Sequence, residues 1–132
     1  MTIQDEQKML ETIYKNILSV KQETEKYLAK VEDDTLCQEL NLFLYRLKSF
    51  EKKAKERIQK TDSAPEAIRP LSKQTTQENM IRDSINCHRQ AARNLKYAIH
   101  ENKEGGIFAT ELAKELIDLE ESAVGKLTDY LE

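Results

Sequence analysis

"IRDSINCHRQAARNLKYAI", Ile81 to Ile99, carries apolar residues at Ile81, Ile85, Ala92, Leu95 and Ile99, with His88 at the one polar step between them. The intervals of four, three, four, three and four follow the 3.6-residue turn of an α-helix, not the two-residue alternation of a strand. The stretch reads as one face of an amphipathic helix, and three further segments repeat the pattern. The first carries Leu10, Ile13, Ile17, Val20, Tyr27 and Val31, with Thr24 in its polar slot. The second carries Leu36, Leu40, Phe43, Leu47, Phe50, Ala54 and Ile58, and the fourth Leu112, Leu116, Leu119, Ala123, Leu127 and Tyr130. Flanking Tyr14, Leu28, Leu44, Ala91, Ile117 and Val124 widen each line into a core-facing stripe.

Breakers separate the four segments: "EDDT" (32–35), "TDSAPEAIRPLSKQ" (61–74), which holds both prolines, and the pair Gly105-Gly106. Thr35 with Gln38, and Thr75 with Glu78, match the capping box that opens a helix. Lys103 suits the negative pole of the third helix, and Gly105 the left-handed position that ends it. The predicted helices span about 3–31, 35–61, 75–103 and 107–131, with a linker at about 62–74. A chain of 132 residues so divided predicts one domain, 1–132, of all-α class: a four-helix bundle.

Composition agrees. Charged residues make up 34% and hydrophobic ones 39%, with three Gly, two Pro and no Trp, the profile of packed helices and not of a turn-rich strand fold. A net charge of −3 gives no global drive toward nucleic acid or an anionic membrane. No apolar run approaches the about 20 residues that span a bilayer. The opening "MTIQDEQKMLETIYKN" carries acids where a signal peptide has a basic and then an apolar region, so the expected location is cytoplasmic. Cys37 and Cys87 are too few for a disulfide framework, and neither belongs to a Cys-x-x-Cys pair.

The first and last links are short, which predicts two antiparallel hairpins, helix one with two and helix three with four. A helix of about 27 residues is about 40 Å long, and an extended link of about 13 residues reaches about 43–47 Å. The middle link is therefore long enough for a full-length crossover, the alternative being a simple up-down bundle. Arg46 to Lys60 holds seven Lys or Arg beside Glu51 and Glu56, and Glu111 to Glu132 holds seven acids beside Lys114 and Lys126. In the crossover arrangement the basic end of helix two would meet Glu111 and Glu115, each exposed pair being worth about 0–1 kcal/mol. Two separately solvated faces are the alternative. Gly125, inside helix four, costs about 1 kcal/mol relative to Ala, which points to a close helix–helix or dimer contact unless it has no structural reason.

"LAKELIDLEESAVGKLTDYL", Leu112 to Leu131, resembles the last helix of small, largely uncharacterised bacterial ferritin-like proteins, with their paired-acid centre and closing Leu-x-x-Tyr-Leu. "QENMIRDSINCHRQAARNLKYAIHEN" (77–102) is similar in layout to their third helix. The resemblance implies a ferritin-like four-helix fold and no characterised activity.

A carboxylate-bridged di-metal bundle needs Glu-x-x-His pairs projecting inward. The residue three before His88 is Ile85 and three before His100 is Tyr97, so the motif is missing. Glu11, Glu39, Glu120 and Glu121 lie beside the stripes and read as flanking, solvated charges. His88 has three readings. As a metal ligand it would draw on Cys37 and Cys87, but Cys87 projects about 100° away on the same helix. As a phosphoacceptor it has Ala91, Ala92 and Arg93 nearby but lacks the His-x-x-Lys-Gly core of phosphotransfer bundles. Its place in the stripe favours the third reading, a partly buried imidazole hydrogen-bonded across the bundle to Thr24 or a tyrosine. The cysteines read as small hydrophobes. No nucleophile elbow, phosphate loop or dinucleotide fingerprint occurs. The basic cluster "RLKSFEKKAKERIQK" (46–60) spreads its charges round the helix and reads as a solvated face.

The expected protein is a non-enzymatic helical bundle acting through protein contacts, as a homo-oligomer or with another partner. No catalytic residue, cofactor, metal, nucleic acid or membrane is expected, and no ligand-binding residue is assigned. The alternatives are a divergent metal- or ligand-binding bundle using His88, His100 and nearby acids, and more weakly a phosphotransfer module through His88.

Overall fold

The computed structural model describes residues 3–58, 76–102 and 106–131. They form α1 (Ile3–Leu28), α2 (Asp34–Arg57), α3 (Gln77–Glu101) and α4 (Ile107–Asp129). The described residues contain no strand, so the fold is the all-α, four-helix arrangement that the spacing predicts. No described helix is long and apolar enough to cross a membrane. The linker 62–74, Thr75, Lys103 and Gly105 lie outside the described residues.

The helix starts differ from the predicted caps. Asp33 is the N-cap of α2, its carboxylate accepting the Leu36 N–H at 2.9 Å. Thr35 falls inside the first turn, because an Asp earlier in "EDDT" accepts from the chain first. Thr76, not Thr75, caps α3 and accepts from the Asn79 N–H at 3.1 Å. Gly106 opens α4 at φ 91°, a left-handed backbone that a side chain would strain.

Contacts between side chains fix the sense of each helix. Lys21 bonds Glu51 at 2.9 Å and Glu6 meets Arg57 at 3.4 Å, so α1 and α2 are antiparallel. Asn94 donates to Asn16 at 3.2 Å, while Tyr27 packs in one apolar cluster with Met80 and Ile81, so α1 and α3 are antiparallel as well. Lys126 reaches Glu39 at 3.8 Å and the Arg57 guanidinium lies 4.2 Å from the centre of the Phe108 ring, which makes α2 and α4 antiparallel. It follows that α2 and α3 run the same way. They stand diagonally opposite and meet through core side chains, the Phe43 ring edge-on to His88.

All four predicted stripes face inward. Leu10, Ile13, Ile17, Leu47, Leu95 and Leu116 are essentially inaccessible. The apolar core falls into two clusters, one around Ile17, Leu47, Leu95 and Leu116, the other around Tyr27, Leu36, Met80 and Leu127. Of the buried polar residues, Thr24 and His88 lie between the two clusters along their helices, while Ser84 lies between Ile81 and Ile85 of the second and Glu120 between Ile117 and Ala123 of the first.

Among the described residues the predicted meeting of the basic end of α2 with Glu111 and Glu115 is not made. Arg57 turns to Glu6 and Phe108, and Glu111 lies 4.0 Å from Lys114 of its own helix. A short reach within one helix costs less side-chain entropy than a bond across an open groove. Nor, among the described residues, does anything approach Gly125: a β-carbon built there has no atom within 4 Å.

Candidate functional site

His88 sits on the inner face of α3 with 1% of its surface exposed, and Glu120 on the inner face of α4 with 1% exposed. The imidazole Nδ1 stands 2.5 Å from Glu120 Oε2, and Nε2 is 3.4 Å from Ser84 Oγ one turn back along α3. The Phe43 ring closes a third side, its centroid 4.6 Å from that of the imidazole at an interplanar angle of 70°.

Glu120 therefore is not the solvated flanking charge that its position beside the stripe predicts. Both the series 112, 116, 119, 123 and the series 112, 116, 120, 123 keep helical steps of three and four. The first assigns the apolar Leu119 to the seam, yet in the fold Glu120 is the deeper residue and Leu119 only half-buried. The readable signal was His88 itself: a histidine inside an apolar stripe needs a buried partner. Thr24 and tyrosine are not that partner. Thr24 donates to the Val20 carbonyl of its own helix at 2.8 Å, and the Tyr27 hydroxyl donates to Glu23. Glu11 and Glu39 are half-buried, and Glu121 is exposed and 3.5 Å from Lys96.

Burial raises the Glu120 carboxyl above its ordinary range, and the imidazole beside it partly offsets that rise. The two groups share one hydrogen bond between Oε2 and Nδ1, which satisfies both where water does not reach. Beside this pair, Cys87 turns away, and burial followed by the nearby Glu23 and Glu120 pushes its thiol up to about 12. Burial and the Glu23 hydrogen bond likewise raise the Tyr27 hydroxyl. Both groups are poor nucleophiles at neutral pH.

The arrangement does not gather the residues of a metal centre. His100 is exposed in the last turn of α3, about 18 Å along the helix from His88. Cys37, on α2, accepts weakly from Asn41 at 3.6 Å, and both cysteines are free. Among the described residues no three His, Cys, Asp or Glu side chains are placed to hold one ion. A crevice between α2 and α4, with Leu42, Arg46, Ser122 and Lys126 at its rim, reaches His88 and encloses about 30 Å³. That is room for about one water, not for a substrate.

No family model, no curated protein and no solved structure matches this chain.

Proposed function

We propose that this chain is a non-catalytic helical bundle of ferritin-like arrangement that works through contact with other protein surfaces, self-association among them. The observation that carries this reading is the closure of the His88–Glu120 pair: both groups are inaccessible and bonded to each other. A phosphoacceptor must meet its donor, and a general base must meet its substrate, so a pair in this state serves the core. The outside of the bundle supports the other half of the reading. Leu42, Tyr45, Tyr97 and Ile107 are large apolar side chains exposed to solvent. Such residues are what protein contacts bury.

The common direction of α2 and α3 supports the long crossover over the simple up-down bundle. An up-down chain reverses at every connection, so its second and third helices oppose each other. Sedimentation equilibrium together with metal analysis of the purified chain tests the function. Self-association in a metal-free preparation is the expected result. A strict monomer that carries stoichiometric iron, manganese or zinc, lost in His88→Ala, would overturn the reading.

A further inference from the structure

We infer that two copies of this chain pair through the face formed by α2 and α4, about a two-fold axis parallel to the helices. This rests on the self-association reading above and names its surface. Along the edge of α2 nearest α4 stand Leu42, Arg46 and Lys53, all exposed, and along the facing edge of α4 stand Glu115, Ser122 and Lys126, also exposed, with the exposed Asp118 and Gly125 one helical turn to either side of Ser122. Lys126 of α4 is already paired with Glu39 of α2 at one end of this face; along the rest, the basic Arg46 and Lys53 lie beside the acidic Glu115 and Asp118. Their levels are fixed by the crevices they share: Leu42 and Arg46 line one with Ser122, and Lys53 lines another with Glu115.

Apart from the Glu39–Lys126 pair, the two edges are not spent on each other. Among the described residues Arg46, Lys53, Glu115 and Asp118 form no ion pair, and Lys53 instead lies 5.4 Å from the centre of the Phe50 ring. Each row is free to meet the complementary row of another molecule.

A two-fold parallel to the helices keeps every level and exchanges the two rows. It sets the α2 edge of each copy against the α4 edge of the other, so cation meets carboxylate twice over. The same operation places Leu42 of each copy opposite Ser122 and Gly125 of the other. Leu42 is 42% exposed, and the space where a Gly125 β-carbon would stand is empty. An apolar knob thereby finds a gap between small residues, which gives the helical glycine a reason that the single chain does not supply. The face also has the extent a stable contact needs. Two helices of about 24 residues side by side present about 36 Å by 20 Å, about 700 Å² per copy, close to the about 800 Å² of a standard interface.

The test is charge exchange on the full chain, read by sedimentation equilibrium at low and high salt. Wild type is expected to be a dimer that weakens as salt rises. Arg46→Glu with Lys53→Glu in one protein, and Glu115→Lys with Asp118→Lys in another, should each weaken the dimer by at least about tenfold. An equimolar mixture should dimerise again, because both contacts of the mixed dimer are then attractive. Circular dichroism confirms that each variant keeps its helices. A wild-type dimer indifferent to both reversals overturns this face and leaves self-association standing. Two reversed proteins that weaken alone but do not rescue each other overturn the two-fold pairing. A wild-type monomer at every concentration overturns this inference and self-association together.

Discussion

Nδ1 of His88 and Oε2 of Glu120 meet 2.5 Å apart across the α3–α4 interface, with 1% of either side chain reaching solvent. An imidazole and a carboxyl so deeply placed are each a liability without the other. Together they satisfy each other inside the core.

Removing one member is expected to be far worse than removing both. His88→Ala and Glu120→Ala should each destabilise the fold by about 3–5 kcal/mol, because the surviving group is left buried without its partner. The double variant His88→Leu with Glu120→Met, apolar and of similar volume, should recover most of that loss. Urea denaturation of the three proteins and wild type measures the coupling. A single-variant cost below about 1 kcal/mol would show that the pair is not closed off as described.

Stability should also carry the pair's signature in pH. The carboxyl of Glu120 is raised above its ordinary value of 4.5, so the folded state holds that proton more tightly than the unfolded chain. Its contribution is complete below pH 4.5 and is lost as pH climbs through the raised folded value. The difference in unfolding free energy between wild type and Glu120→Gln should therefore shrink as pH rises from 4 toward neutrality. Other carboxylates titrate in both proteins and cancel. A difference that grows with pH would reverse the assignment.

Gly125→Ala should move two measurements in opposite directions. The added methyl meets no atom of the described residues within 4 Å, and Ala is the better helix former, so the isolated subunit should gain about 1 kcal/mol in denaturation at low protein concentration. Dimer formation, followed by sedimentation, should weaken. A stability gain with unchanged association would remove Gly125 from the contact.

Cys87 should be slow to label. With its thiol pushed up to about 12, it offers very little thiolate at pH 8. In a Cys37→Ser background, disulfide-exchange reagents should react on the order of a hundredfold more slowly with the native protein than with the unfolded one. Equal rates would place the thiol in contact with water.

The helices were legible because burial repeats along them. Ile81, Ile85, Ala92 and Leu95 differ in size but share one face, and that face alone determines which residues leave water. His88 was legible as a buried residue for the same reason. Glu120 was not, because periodicity admits either Leu119 or Glu120 to the seam, and hydrophobicity favours the wrong one. The choice depends on the rotation of α4 about its own axis, which is settled by what α3 presents to it. The charge rows show the same limit. Arg46, Lys53, Glu115 and Asp118 are plain in the chain, yet their adjacency follows from the antiparallel packing of α2 on α4. Caps fall between these cases: "EDDT" and "TT" offer neighbouring candidates one residue apart, and only the first turn's geometry selects Asp33 and Thr76.

The buried pair also acts on alignment. Leucine and isoleucine stripes tolerate sliding, since a helix displaced by one turn, about 5.4 Å, still sets apolar rows against apolar rows. Glu120 does not tolerate it. Shifted by one turn either way along α3, its carboxyl would abandon His88 and face the neighbourhood of Ile85 or Ala92, and the imidazole would be stranded with it. Every out-of-step packing of the second hairpin thus carries the penalty of two orphaned polar groups. One bond works as a registration pin for a helix pair whose remaining contacts fit almost as well one notch away.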